Sequence, residues 1–178
     1  MRIKSLFVGL VAALIATASF AGRGSDGNVS IIYWQAPSIL NPYLSGGTKD
    51  IESSSMIIEP LARYNETGAL VPFLAEEIPT VANGGVSADL KSITWKLKSG
   101  LKWSDGSAVT SADVKFTGEY CMDPDGGCAQ LEKFDGVTDI ATPDDRTIVV
   151  SFSASKPNPY GPFAVSYTHL TLPTTPYV

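Results

Sequence analysis

Large apolar and polar residues alternate from Thr94 to Lys98, in the order Thr-Trp-Lys-Leu-Lys. That period of two predicts a strand with one buried face. Ser99-Gly100 breaks it, and Leu101-Lys102-Trp103 forms a second short extended run. Ser104-Asp105-Gly106-Ser107 then turns the chain, with Gly106 free to adopt positive φ. Thr110 is placed to cap a helix over Ser111–Tyr120, and Asp113 puts negative charge in its first turn. Val114, Phe116 and Tyr120 are expected on the buried side of that helix, and Gly118 is its weak point. Trp95 and Trp103 are assigned to the core, beside Leu97 and Leu101.

The same logic sets the flanking elements. Val29–Trp34 (VSIIYW) is dense in β-branched and aromatic residues and predicts a buried strand. Pro37 and Pro42 make the next stretch irregular and extended. Ile51–Ile58 predicts a helix capped by Asp50 and stopped by Pro60. Asn65-Glu66-Thr67-Gly68 is a turn; it also fits the N-glycosylation pattern, but the turn is the preferred reading. Phe134–Ala141 and Thr147–Phe152 predict a strand pair joined at Thr142-Pro143-Asp144-Asp145. Lys156–Pro162 is a proline-rich crossover.

The chain has 178 residues, 44% hydrophobic and 17% charged, a composition that builds a core rather than a disordered segment. Its ends change the picture. Met1–Ala21 has Arg2 and Lys4 at its start, an apolar run from Leu6 to Ala16, and small residues at Ser19 and Ala21. This is the pattern of a signal peptide cleaved before Gly22, and its apolar run is short for a membrane span. Without it the chain carries 11 basic and 18 acidic residues, a net −7, which argues against a nucleic-acid partner. Gly22–Gly27 (GRGSDG) formally fits G-x-G-x-x-G but lacks the preceding strand and following helix, so it is read as a linker. At the other end, Val165–Thr174 back-translates as GTC TCT TAT ACA CAT CTG ACG CTG CCG ACG. That resembles the end of a transposon-based sequencing adapter. The natural frame is therefore expected to depart near Ala164 or Val165 and to continue beyond this chain, and His169 is set aside from any site argument.

Candidate chemistry is sparse. Cys121 and Cys128 are the two cysteines of an exported chain and bracket a loop of turn formers, which predicts a local disulfide. Closing so short a loop contributes on the order of 2.5 kcal/mol in the chain-entropy model. Zinc would need four ligands, and Asp123-x-Asp125-Gly126 lacks the remaining groups of a calcium loop, so no metal and no cofactor is expected. No nucleophile–base pair and no G-x-S-x-G elbow is present, so no enzyme is expected. Trp34 and Tyr43 flank an irregular loop and are candidates for a ligand wall.

The ordered run Trp95–Val114, W-x-L-K-x-G-L-K-W-S-D-G-x-x-V-T-x-A-D-V, resembles the extracellular solute-binding proteins of family 5, the peptide, nickel and oligosaccharide receptors of ABC importers. Leu40-Asn41-Pro42, Glu59–Tyr64, Val71–Ile78 and the 134–152 strand pair resemble further family segments in the same order, although Ile78 stands near the usual Trp. The resemblance covers about residues 29–163. It implies a mixed α+β chain, the N-terminal part of a two-lobed type II periplasmic-binding-protein fold with a β-rich subdomain. It implies segments at 22–59 (larger lobe), 60–156 (smaller β-rich subdomain) and 157–164 (crossover back), followed by the tail at 165–178. It also implies that the loop Ser45-Gly46-Gly47-Thr48 approaches a ligand, so the candidate contacts are Trp34, Tyr43, Gly46, Gly47 and Thr48. The implied partners are a short peptide or similar solute and a membrane permease, outside the cytoplasmic membrane. Because cleft closure needs both lobes, this polypeptide alone is expected to bind weakly or not at all. The alternative is a stand-alone exported β-rich interaction or structural domain, complete near residue 164, without a small-molecule site.

Overall fold

A computed structural model describes Gly27 and residues 32–165. The chain divides into two units, residues 1–36 and 37–178. In the first, the rings of Tyr33 and Trp34 meet edge to face at 6.1 Å. Ile32 is 97% exposed and Trp34 68%, and residues 32–34 form no strand. The buried strand expected at 29–34 is therefore not seen in its described part; Val29–Ile31 lie outside the described residues. β-branched density reports a fit to a pleated face, but a strand also needs a hydrogen-bonded neighbour.

Among the described residues, the second unit holds two three-stranded sheets. The larger has the order β3-β5-β4 and is antiparallel, with β3 Ser92–Lys96, β4 Val137–Asp144 and β5 Thr147–Phe152. The alternation read at 94–98 is present: Ile93, Trp95 and Leu97 are fully buried, and Lys96 and Lys98 are exposed. Ile93 lies opposite Val150 and Trp95 opposite Ile148, so the buried faces of β3 and β5 coincide. Arg146 fixes the end of this ladder. Its Nε and Nη2 donate to the Leu97 carbonyl at 2.9 and 2.7 Å, and the Leu97 N–H donates to the Arg146 carbonyl at 2.8 Å.

The β4–β5 turn differs from expectation. β4 runs on through Thr142 and Pro143, and the chain reverses at Asp145–Arg146. There Asp144 Oδ1 accepts the N–H groups of Arg146 (2.8 Å) and Thr147 (2.9 Å). Pro143 is tolerated because β4 is an edge strand whose register shifts between Ala141 and Asp144.

Helix α2, Ser111–Met122, packs on this sheet. Thr110 is its N-cap in extended backbone, and Asp113 reaches back to the Thr110 N–H at 2.7 Å. Ser111 ties the helix start to the β4–β5 turn: its N–H donates to Asp145 O (2.8 Å) and its hydroxyl to Asp144 O (2.6 Å). Val114 is buried as expected, but its companions on the buried face are Ser111, Gly118 and Cys121, not Phe116 and Tyr120. Phe116 is 70% exposed. The helical face follows the spacing of the small residues, because only they let the helix come close to the sheet. At Gly118 a Cβ would overlap Ile140 Cδ1 and stand 3.0 Å from Phe163 Cζ.

The smaller sheet has the order β2-β1-β6, with β1 Ala62–Tyr64, β2 Leu70–Pro72 and β6 Ala164–Val165. Asn65 Oδ1 shapes the β1–β2 turn by accepting from Thr67 N–H (3.0 Å) and Ala69 N–H (2.9 Å), as the turn reading expects. β6 pairs with β1 in parallel, Ala62 opposite Ala164. The expected turn at Ser104–Ser107 is also present, with Gly106 at φ 90°. Trp103 before it is 48% exposed, a correction to its assignment to the core: the run at 101–103 pairs locally, through the Lys102–Ala108 bridge, and of its side chains it is Leu101 that packs against the core.

Replacing Gly118 by Ala tests the close approach. Alanine favours the helix by at most about 1 kcal/mol, whereas overpacking costs about 1–3 kcal/mol. A net loss of about 1–2 kcal/mol in urea unfolding is expected; a stabilised variant would show that the sheet yields freely to α2.

Candidate functional site

Helix α1 spans Thr48–Ser54, three residues earlier than expected, with Gly47 as N-cap. Asp50 is therefore not the cap. It sits inside the first turn, only 4% exposed, and faces back over the preceding loop. Its Oδ1 accepts the Ser38 N–H at 2.6 Å and its Oδ2 the Ser45 hydroxyl at 2.7 Å. Lys49 Nζ lies 3.0 Å from Oδ1. The Ser45 hydroxyl first, then the Ser38 N–H and the Lys49 ammonium, hold the Asp50 carboxyl well below the usual carboxylate range. The sequence pattern missed this because a capping aspartate and a first-turn aspartate look alike before the helix start is known. Past Ser54 the chain turns, leaving Met56 and Ile57 more than half exposed.

The loop so held forms one wall of a cavity of about 270 Å³. Pro42, Tyr43, Gly46 and Ile51 line this side. Gln130, Glu132, Lys133, Phe134, Phe163 and Ala164 are also in the lining. The Phe134 and Phe163 rings meet edge to face at 5.4 Å. Phe163 holds φ at 66°, a left-handed conformation that costs an aromatic residue roughly 1–2 kcal/mol; the burial of its ring, 4% exposed, offsets that cost.

The sequence candidates divide. Tyr43 and Gly46 are brought to the cavity wall. Gly46 is exposed, with nothing within 4 Å of where a side chain would start. Gly47 and Thr48 belong to the helix start, and the Gly47 N–H is engaged by Ser45 Oγ at 3.0 Å. Trp34 lies in the other unit, 68% exposed. Burial pushes the Tyr43 phenol up to about 12, so it stays protonated at every physiological pH. Burial pulls the Lys133 ammonium below the ordinary lysine value, with Glu132 opposing. Gln130, Lys133 and Phe163 carry no sequence signal, because only the tertiary fold brings 130–134 and 163 to the cavity that the 42–46 loop lines.

The cysteine expectation is met: Cys121 and Cys128 form a disulfide, with Cα atoms 4.9 Å apart. Among the described residues no group of three or more His, Cys, Asp or Glu is placed to hold a metal ion. Among them, too, no helix is long and apolar enough to cross a membrane. His169 lies outside the described residues.

The lowered Asp50 pKa has a pH consequence. The stability it contributes is complete above the ordinary carboxylate value, about 4, and is lost as pH falls below that toward the depressed folded value. Asp50→Asn is expected to lower the unfolding midpoint at pH 7 and to approach the parent chain under acid. A gap that stays constant from pH 7 down to strongly acid conditions would show that the carboxylate charge is not what holds the loop.

Residues 69–176 match the sequence profile of bacterial extracellular solute-binding proteins, family 5 Middle. A probable peptide ABC transporter periplasmic-binding protein of Sinorhizobium fredii, y4tO, is 40% identical over 72 residues, 40% of this chain and 13% of that protein. AgaA of A. tumefaciens R10, solved with agropinic acid, superposes with a TM-score of 0.58 at 33% identity, over 66% of this chain and 22% of AgaA. OppA of Haemophilus influenzae, solved with the peptide RPPGFSPFR, shares the fold with a TM-score of 0.61 at 23% identity, over 70% of this chain and 26% of OppA. The matched parts thus span between 13% and 26% of the length of these proteins. The mixed α+β arrangement is part of the two-lobed fold of periplasmic binding proteins. The chain belongs to the extracellular solute-binding proteins of family 5.

Proposed function

We propose that this chain is part of the substrate-binding component of an ABC importer, which captures a short peptide or similar solute outside the cytoplasmic membrane and hands it to a membrane permease. The observation that carries the reading is the cavity between the 42–46 loop and residues 130–134, on a family-5 fold. Its lining suits an extended, partly polar ligand. Tyr43 and Phe134 offer apolar faces, the exposed Gly46 lets a ligand main chain approach, and the partly desolvated Lys133 favours a carboxylate. The names of y4tO and the OppA complex supply the peptide class.

Residues 1–21 are the leader that would direct export, and 60–156 the smaller, β-rich subdomain. No step of bond making is assigned; the work is capture and release. One wall of a cleft gives up most of the binding energy available to two, since closure brings the second set of contacts. Thr48 is retained as a ligand contact of the complete cleft.

The test is amide chemical-shift mapping of the 178-residue chain with a defined tripeptide. Shifts are expected at Tyr43, Gly46 and 130–134 only, without saturation below about 1 mM, a free energy weaker than about −4 kcal/mol. Shifts confined to other surfaces, or none at concentrations tenfold higher, would overturn the assignment of this cavity.

A further inference from the structure

Resting on the proposal that the 42–46 loop is a ligand wall, we infer that the Cys121–Cys128 disulfide and the Gln130 carboxamide form a clamp that positions that loop. The loop's own hydrogen bonds are local: Leu44 N–H to Asn41 O at 3.1 Å and Tyr43 N–H to Asn41 Oδ1 at 3.0 Å. Asp50 secures its far end through Ser45. Its near end is reached from elsewhere in the chain. The Ala129 N–H donates to Tyr43 O at 2.8 Å. The Gln130 Nε2 lies 3.4 Å from both Pro42 O and Ser45 O, so one amide group spans the two sides of the loop. A carboxamide has two hydrogens for two carbonyls; a carboxylate of the same shape has none.

Residues 129–130 form a turn between Cys128 and a short 3-10 helix, Leu131–Phe134, whose N-cap is Gln130. They follow Asp123–Gly127, a stretch with Gly126 and with Gly127 at φ 66°. Phe134, 3% exposed, anchors the far side of this turn, and the disulfide anchors the near side. Cys121 is fully buried on the sheet-facing side of α2, and Cys128 packs against the same core. The position of α2 is thereby passed across the sulfur–sulfur bond to residue 128, and through Ala129 and Gln130 to the loop. Gln130 is a positioning residue in this scheme, acting on the ligand through the loop carbonyls it holds.

The experiment is hydrogen exchange on the full chain without ligand, comparing the parent with Gln130→Glu and with the Cys121→Ala/Cys128→Ala double variant. In both variants the amides of residues 41–47 are expected to exchange about tenfold faster or more. In Gln130→Glu the amides of β3 and β5 and the thermal midpoint are expected to stay at parent values, which a general loss of stability would not allow. Unchanged exchange at 41–47 in Gln130→Glu would overturn the inference, even if the double variant fails to fold. A double variant that loosens 122–130 alone would overturn the part played by the disulfide. Faster exchange at 41–47, with peptide shifts absent from the cavity, would leave the clamp standing and remove the ligand reading.

Discussion

The close approach of α2 to its sheet at Gly118 governs much of what lies around it. With no side chain at that position, Ile140, Phe134 and Phe163 all converge on the helix. Two of those residues, Phe134 and Phe163, also line the cavity. The helix carries Cys121 one turn further on, on the same face. A single absent methyl group therefore sets the depth of the core, the seat of the disulfide and part of the cavity lining. Any bulk added there must be accommodated by neighbours already 3–4% exposed, in a region where small overlaps are felt.

The cavity wall itself is built on different physics. Apart from Tyr43, which packs against the core, its 42–46 loop holds its shape by polar fixings: Asp50 on one flank, the Ala129 N–H and Gln130 on the other. Such bonds each contribute modestly, on the order of 1 kcal/mol net, so the wall is the part of the unit most open to change. Charge-assisted bonds at Asp50 are the stronger of them, which is why acid should act on this loop before it acts on the β3–β5 ladder.

Legibility in the sequence followed the source of stability. The β3 alternation, the Gly106 turn, the Thr110 cap and the disulfide are each written in neighbouring residues, and each was recoverable. Phe116 misled because a strongly apolar side chain outweighed the real determinant, the small residues at 111, 118 and 121 that permit contact. Trp103 misled because alternation continues past Gly100 while the sheet does not. Asp50 was misplaced by the ambiguity between a cap and a first-turn acid. At the cavity, Tyr43 and Gly46 belong to the irregular loop that the sequence singles out, and both are in the lining. Gln130 and Lys133 join that lining only through the tertiary fold, which no local pattern of the sequence records.

That crossing explains why a cavity forms there at all. β6 lies parallel to β1, and parallel neighbours cannot be joined by a tight turn. Everything between Pro72 and Ala164, including the whole β3-β5-β4 sheet and α2, is thus one long connection that leaves the small sheet after its β1–β2 hairpin and returns beside β1. The return is abrupt: Pro157, Pro159 and Pro162 stiffen it, and Phe163 takes up the reversal at positive φ. Phe163 sits where the excursion closes, its carbonyl bonded to the Leu61 N–H at 3.3 Å and its ring against Phe134. The ring is buried under the excursion while the backbone joins the small sheet. A cavity lined at this junction is fixed to both parts. Its width therefore responds to how the excursion is anchored, which is the physical reason to place a positioning disulfide on α2 rather than in the small sheet.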